Sequence, residues 1–195
     1  VQLGSASIEV PPYGVVSRPV RWSGSAASAV DLTPVDSVGG SVLAGGADEQ
    51  VGWYWWPYSC QISGQWTTCY HRRGAMWHGT AESHEMLHAS GWEYSSVSDT
   101  DGVDRIGTIS DHDEVGNTFA RAGIFNGGYS FTTLDRIGWS KTFGTALDGG
   151  KRYGSANTPY PGPTTHAVMW ETNTSPLNDC LLYTSDAADD SWRVG

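Results

Sequence analysis

The chain has 195 residues and a net charge of −10, with 21 acidic and 11 basic side chains, 25 Gly, 10 Trp and 9 Tyr. That length suits one ordinary domain with a real core. The basic residues form no run longer than Arg72-Arg73, so a phosphate-binding stripe is excluded and nucleic acid is not an expected partner.

No stretch approaches ~18 uninterrupted apolar residues, so no membrane span is expected. The opening "VQLGSASIEV" has neither a basic start nor an apolar h-region, so no signal peptide is read in this chain. Charged residues make up only 16% of the chain, while Gly, Ser, Thr and aromatics are abundant and runs of helix formers are absent. Such a composition favours short strands and tight turns. The fold class read from it is all-β.

In chain order, four tripeptides share the form polar–apolar–Gly: Gln2-Leu3-Gly4, Gln50-Val51-Gly52, Arg105-Ile106-Gly107 and Arg152-Tyr153-Gly154. Between them short apolar runs close on an aromatic, at Trp22, Trp77, Phe125 and Trp170. From aromatic to next repeat glycine the spacing is 30 (22 to 52), 30 (77 to 107) and 29 (125 to 154). From glycine to aromatic it is 18 (4 to 22), 25 (52 to 77), 18 (107 to 125) and 16 (154 to 170). Packed strands resist insertion and surface loops accept it, so the variable half is expected to hold a loop.

One period reads as four short strands, in "GAMW", "HEML", "SSVSD" and "DRIGTIS". Four strands in roughly 45–50 residues is the size class of a propeller blade. Each aromatic is expected to begin a blade, and Leu32, Leu87 and Leu134 to occupy equivalent inward positions. The units fall near 22–76, 77–124 and 125–169. The architecture read is a partial β-propeller of about three four-stranded blades, part of a longer array.

"HAVMW", "EQVG" and the Leu-centred strands resemble the HAF-type repeats of bacterial extracellular proteins. The likeness covers about residues 2 to 177, and Phe125 and Tyr153 depart from the pattern. It implies an extracellular or cell-surface repeat module and assigns no catalytic residue or cofactor.

The stretched segment "WYWWPYSCQISGQWTTCYHRRG" carries Cys60 and Cys69. Nine residues apart, they are the candidate disulfide of a hairpin-like excursion in an oxidising compartment. Trp53, Tyr54, Trp55, Trp56, Tyr58 and Trp66 lie in the same segment. Exposed aromatics there would contact a glycan or a protein surface. Trp53 and Trp55 are read as core.

His84-Glu85-Met86-Leu87-His88 spells H-E-x-x-H. On a helix this pattern places two zinc ligands and a general base together. Gly91 fits the longer signature, but Tyr94 stands where a third His belongs. In the repeat alignment Leu87 falls ten residues past Trp77, as Leu32 does past Trp22. The histidines are therefore read as variable positions around a repeat leucine, and a zinc metallopeptidase is kept as the alternative.

"SDTDGVD", Ser98 to Asp104, lacks calcium-loop spacing and reads as a polar turn. Asp111, Asp113 and Glu114 read as a solvated loop rather than an acid/base pair. "CLLYTSDAADD", from Cys180 onward, resembles translated sequencing adapter. Residues 1–179 are therefore taken as the β-repeat fragment and 180–195 as a non-native tail, with Cys180 unpaired.

The expected function is a non-catalytic extracellular module with a structural or binding role and no cofactor. Its partners would be a protein or glycan surface and further blades of the same chain. A carbohydrate-binding propeller is the second alternative.

Overall fold

The computed structural model describes residues 1–11, 13–112, 118–134, 139–158 and 164–171. These form four antiparallel sheets in which strands adjacent in sequence pair with one another. Sheet 1 contains β1 (Gln2–Val10), β2 (Gly14–Trp22) and β3 (Val30–Asp31). Sheet 2 contains β4 (Gly40–Gly45), β5 (Gln50–Ile62), β6 (Gln65–Trp77) and β7 (Glu85–Leu87). Sheet 3 contains β8 (Tyr94–Thr100), β9 (Arg105–His112), β10 (Thr118–Phe125) and β11 (Phe131–Thr133). Sheet 4 contains β12 (Lys141–Asp148), β13 (Lys151–Asn157) and β14 (Thr165–Trp170). The chain is all-β, and among the described residues no helix is long and apolar enough to cross a membrane.

The four segments read as strands in one period are strands, but they belong to two sheets: β6 and β7 to sheet 2, β8 and β9 to sheet 3. The expectation that an aromatic begins a sheet is corrected. Trp22, Trp77, Phe125 and Trp170 each end a strand, and in sheets 1 to 3 another strand of the same sheet follows. The cause lies in the register. Gln2 pairs with Trp22, Gln50 with Trp77 and Arg152 with Trp170. The two sequence anchors are therefore partners across one hairpin, not the edges of a unit.

The variable spacing between anchors is thus hairpin length. β5 and β6 each run thirteen residues, against nine in β1 and β2. The expected loop is instead continuous strand pairing out to Ile62 and Gln65. Ser63 (φ 51°) and Gly64 (φ 81°) close it, the pair of positive φ angles that a type I′ turn requires.

Successive sheets pack face to face, so both faces of the inner sheets are buried and period-2 alternation divides each strand between two cores. In sheet 2, Val42, Tyr54, Ala75 and Trp77 join Leu32 in the core shared with sheet 1, whereas Val51, Met76 and Leu87 join Val97, Ile109 and Phe125 of sheet 3. In sheet 3, Ile106, Ala122, Ile124 and Leu134 meet Ala156, Val168 and Trp170 of sheet 4. Each aromatic anchor after the first thus faces the preceding sheet, and each repeat leucine faces the following one.

The leucines occupy one position. Leu32 N–H donates to Pro19 O at 2.9 Å, Leu87 pairs with Gly74, and Leu134 N–H donates to Ala122 O at 2.9 Å. All three partners lie three residues before their aromatic. Leu134 is nine rather than ten past its aromatic because the turn before β11 is one residue shorter, with Gly123 facing Thr133 where Ala75 faces Met86.

The repeat glycine sits opposite a β-bulge. Register shifts fall between Val42 and Ala44, Val97 and Asp99, and Gly144 and Ala146. Each immediately follows the rung to Gly52, Gly107 or Gly154. A Cβ on these glycines would lie 2.0 Å from Ser41 O, 2.1 Å from Ser96 O and 2.0 Å from Phe143 O. The anchor ring closes over the glycine as well, at 2.9 Å for Phe125 on Gly107 and 2.9 Å for Trp170 on Gly154. A bulge at this rung therefore demands glycine on the neighbouring strand.

Replacing Gly107 by Ala should lower the unfolding free energy by about 3 kcal/mol, at the upper end of overpacking costs. Gly46→Ala, where an added Cβ meets nothing within 4 Å, should stay within about 0.5 kcal/mol of wild type. Urea unfolding of the two variants beside wild type measures both, and equal effects would show that the bulge contact is not the reason for glycine.

Candidate functional site

The H-E-x-x-H segment lies on strand, not helix. Ala81–Ser83 forms a single 3-10 turn, held by Ser83 Oγ, which accepts from His78 N–H at 2.8 Å and donates to Thr80 O at 2.7 Å. Ser28 holds the equivalent turn of sheet 1 in the same way. Glu85–Leu87 then pairs with β6, because the repeat register claims Leu87 for the core.

The two histidines sit in different surroundings. His84 packs edge-on against Tyr54, with ring centroids 5.5 Å apart, and its Nδ1 lies 3.2 Å from Ala81 O. His88 is 5% exposed and sits between Arg73 and Ser95. Among the described residues, no three His, Cys, Asp or Glu side chains gather as a metal site.

Both ring nitrogens of His88 have close polar neighbours. Ser95 Oγ donates its one proton to Leu87 O at 3.1 Å and accepts Gly74 N–H at 2.8 Å. Nδ1 lies 2.9 Å from that oxygen and 3.1 Å from Arg73 Nη1, and Nε2 lies 2.7 Å from the same Nη1. Burial first, and the Arg73 charge second, push the His88 pKa down to about 4.

A crevice of about 310 Å³ opens between the β5–β6 hairpin and sheet 3, lined by Trp55, Arg72, Tyr94, Ser110, His112 and Thr118. These residues come from five strands. Beside it Glu93 receives two imidazoles, His71 at 3.2 Å and His112 at 3.4 Å. His71 lies 3.9 Å, centroid to centroid, from Tyr58 and 5.3 Å from Tyr94. Burial and the nearby Arg73 charge lower the His71 pKa, partly offset by Glu93 and Asp111. At neutral pH a neutral His71 therefore hydrogen-bonds the carboxylate. Burial, and then Glu93, raises the Tyr94 pKa.

The aromatic hairpin differs from its sequence reading. Tyr54, at 1% exposure, is the core residue, and Trp53 and Trp55 are half-buried, 5.2 Å apart edge to face. Both faces of β5 are covered where it enters the sandwich, so alternation alone does not select the inward residue. Trp56 and Trp66 are exposed. Cys60 and Cys69 form a disulfide near the hairpin tip, with Cα atoms 5.8 Å apart.

"SDTDGVD" ends β8 and turns at Asp101, whose Oδ1 accepts Val103 N–H at 2.9 Å and Asp104 N–H at 2.8 Å. Asp111 lies on β9 rather than in a loop. Asp113, Glu114 and Cys180 fall outside the described residues.

Sequence reasoning missed Arg72, Ser110, His112 and Thr118. No spacing links them, because only the pairing of sheets 2 and 3 brings them together. Compared with protein-family models, with curated proteins and with solved structures, the chain matches none.

The depressed pKa of His88 carries a stability signature. Neutral when folded down to about pH 4 but protonated below about 6.5 when unfolded, His88 makes the unfolded chain bind the extra proton in that window. Its contribution is complete above pH 6.5 and is lost as pH falls towards 4, by about 2–3 kcal/mol. Urea unfolding of His88→Gln between pH 7 and 4 should show a pH-dependent loss smaller than wild type by that amount. Parallel curves would mean that His88 titrates normally.

Proposed function

We propose that the chain is a non-catalytic module of an extracellular or cell-surface β-repeat protein, which acts by binding a partner at the crevice between sheets 2 and 3. The crevice carries this reading. It gathers aromatic, cationic and hydroxyl groups from five strands, apart from the three apolar cores that join the sheets. The resemblance of "HAVMW" and "EQVG" to HAF-type repeats supports the extracellular assignment, and so does the Cys60–Cys69 disulfide.

In this reading the sheets are consecutive blades of a propeller-like array that continues with further blades of the same chain. The face of sheet 1 supports that view. Trp22, Leu3 and Gln2 border an open hollow of about 580 Å³, whereas the equivalent Trp77, Phe125 and Trp170 are at most 1% exposed against a preceding sheet. A further sheet would cover the hollow as sheet 1 covers Trp77.

Mass spectrometry of non-reduced peptides and metal analysis of the purified protein test the proposal together. A Cys60–Cys69 cross-link is expected, and its reduction should cost about 2–3 kcal/mol on the loop-entropy estimate. Free thiols at both positions would remove the case for an oxidising compartment. Stoichiometric zinc, lost in His88→Ala, would overturn the non-catalytic reading in favour of the metallopeptidase.

A further inference from the structure

Among the described residues, Arg72 stands in the crevice without a counter-ion. The Trp53 indole holds its guanidinium from one side, with Cζ 5.9 Å from the ring centroid. Its Nε, closed off from solvent, has no hydrogen-bond partner among the described residues. Arg21 likewise has a buried Nε with no partner among the described residues, but four other arginines are matched through their terminal nitrogens. Arg18 pairs with Asp31 at 2.8 Å, Arg105 with Glu49 and Arg152 with Asp104. Arg73 bonds His88 and the Glu93 carbonyl. The Glu93 carboxylate is occupied by His71 and His112.

Burial penalises an unpaired guanidinium and lowers the Arg72 pKa. Its planar fork is suited to grip a carboxylate through two parallel bonds. Trp55 and Tyr94 add flat rings to the same crevice, and Ser110 and Thr118 add hydroxyls. Flat apolar faces beside short polar groups match a pyranose, which presents C–H faces and rim hydroxyls. A volume near 310 Å³ is at the small end of ligand pockets (~300–1,000 Å³), the scale of one sugar unit within a longer chain.

We propose that this crevice binds a carboxylated sugar unit of an extracellular polysaccharide, with the sugar carboxylate on Arg72 and the ring against Trp55 or Tyr94. The assignment rests on reading the chain as a binding module and adds the ligand class.

Calorimetric titration of the intact chain with trigalacturonate, a hyaluronan tetrasaccharide, trimannuronate and neutral cellotetraose tests it. Saturable binding of at least one acidic probe, with Kd below about 1 mM, is expected, weakened by salt. Arg72→Gln and Trp55→Ala should each weaken that binding about tenfold or more, and cellotetraose should not saturate. Should either variant fail to fold, the Trp55 indole N–H resonance of the wild type must shift on adding the acidic probe. No binding of any acidic probe, or binding that both folded variants leave unchanged, overturns the proposal. Equal binding of cellotetraose overturns the carboxylate assignment and leaves the binding-module reading standing.

Discussion

The contact between a bulged first strand and the glycine beside it governs the architecture. With carbonyl oxygens of Ser41, Ser96 and Phe143 about 2 Å from where a Cβ would stand, the strands approach at a distance no other residue permits. A bulge adds local twist and re-aims the residues that follow it. Since it falls at the same rung of sheets 2, 3 and 4, each sheet meets its neighbour in the same way. The bulge also places Asp99 where its Oδ2 accepts Leu147 N–H of sheet 4 at 2.8 Å. The anchor aromatic, diagonal to the glycine, seals the contact. The buried indole N–H groups of Trp77 and Trp170 have no partner among the described residues. Phenylalanine at 125 therefore gives up no hydrogen bond, which explains why the repeat tolerates it there.

Much of this was legible in the residues. Glycine, aromatic and leucine recur because each fills a contact that every sheet must make, and such contacts leave a period. The phase of the sheets was not legible, because a periodic text reads alike wherever counting begins. Gln50 facing Trp77 is a fact of register. Length was ambiguous for a related reason: thirteen-residue strands and a long loop both appear as extra residues between anchors, and only the Ser63-Gly64 turn distinguishes them.

The crevice was invisible for a different reason. Trp55, Arg72, Tyr94 and His112 are single residues on separate strands, and nothing periodic marks them. Tyr94 drew notice only as the residue occupying a zinc-ligand position. The H-E-x-x-H motif, conspicuous as text, falls where Leu87 belongs to the core and Arg73 Nη1 lies 2.7 Å from the Nε2 of His88. Helix propensity over ten residues is weak beside a buried leucine and a strand partner.

Each seam between sheets carries its own polar fittings. A hydroxyl on the first strand of one sheet meets a backbone N–H of the sheet before: Ser95 with Gly74, and Thr142 with Ala122, both at 2.8 Å. At the equivalent places of the first seam stand Pro19, which has no N–H, and Gly40, which has no hydroxyl. Charges follow the same rule. Glu49 meets Arg105 and Asp104 meets Arg152, while the first seam has Val1 and Gln50 at those positions. The repeats are therefore alike in fold but not interchangeable. Joining sheet 1 directly to sheet 3 would set Ser95 against a proline and leave Arg105 without its acid. Unequal recombination among such tandem units would strand a buried polar group at the new junction, so these fittings act as an address that keeps the copies in order as they diverge.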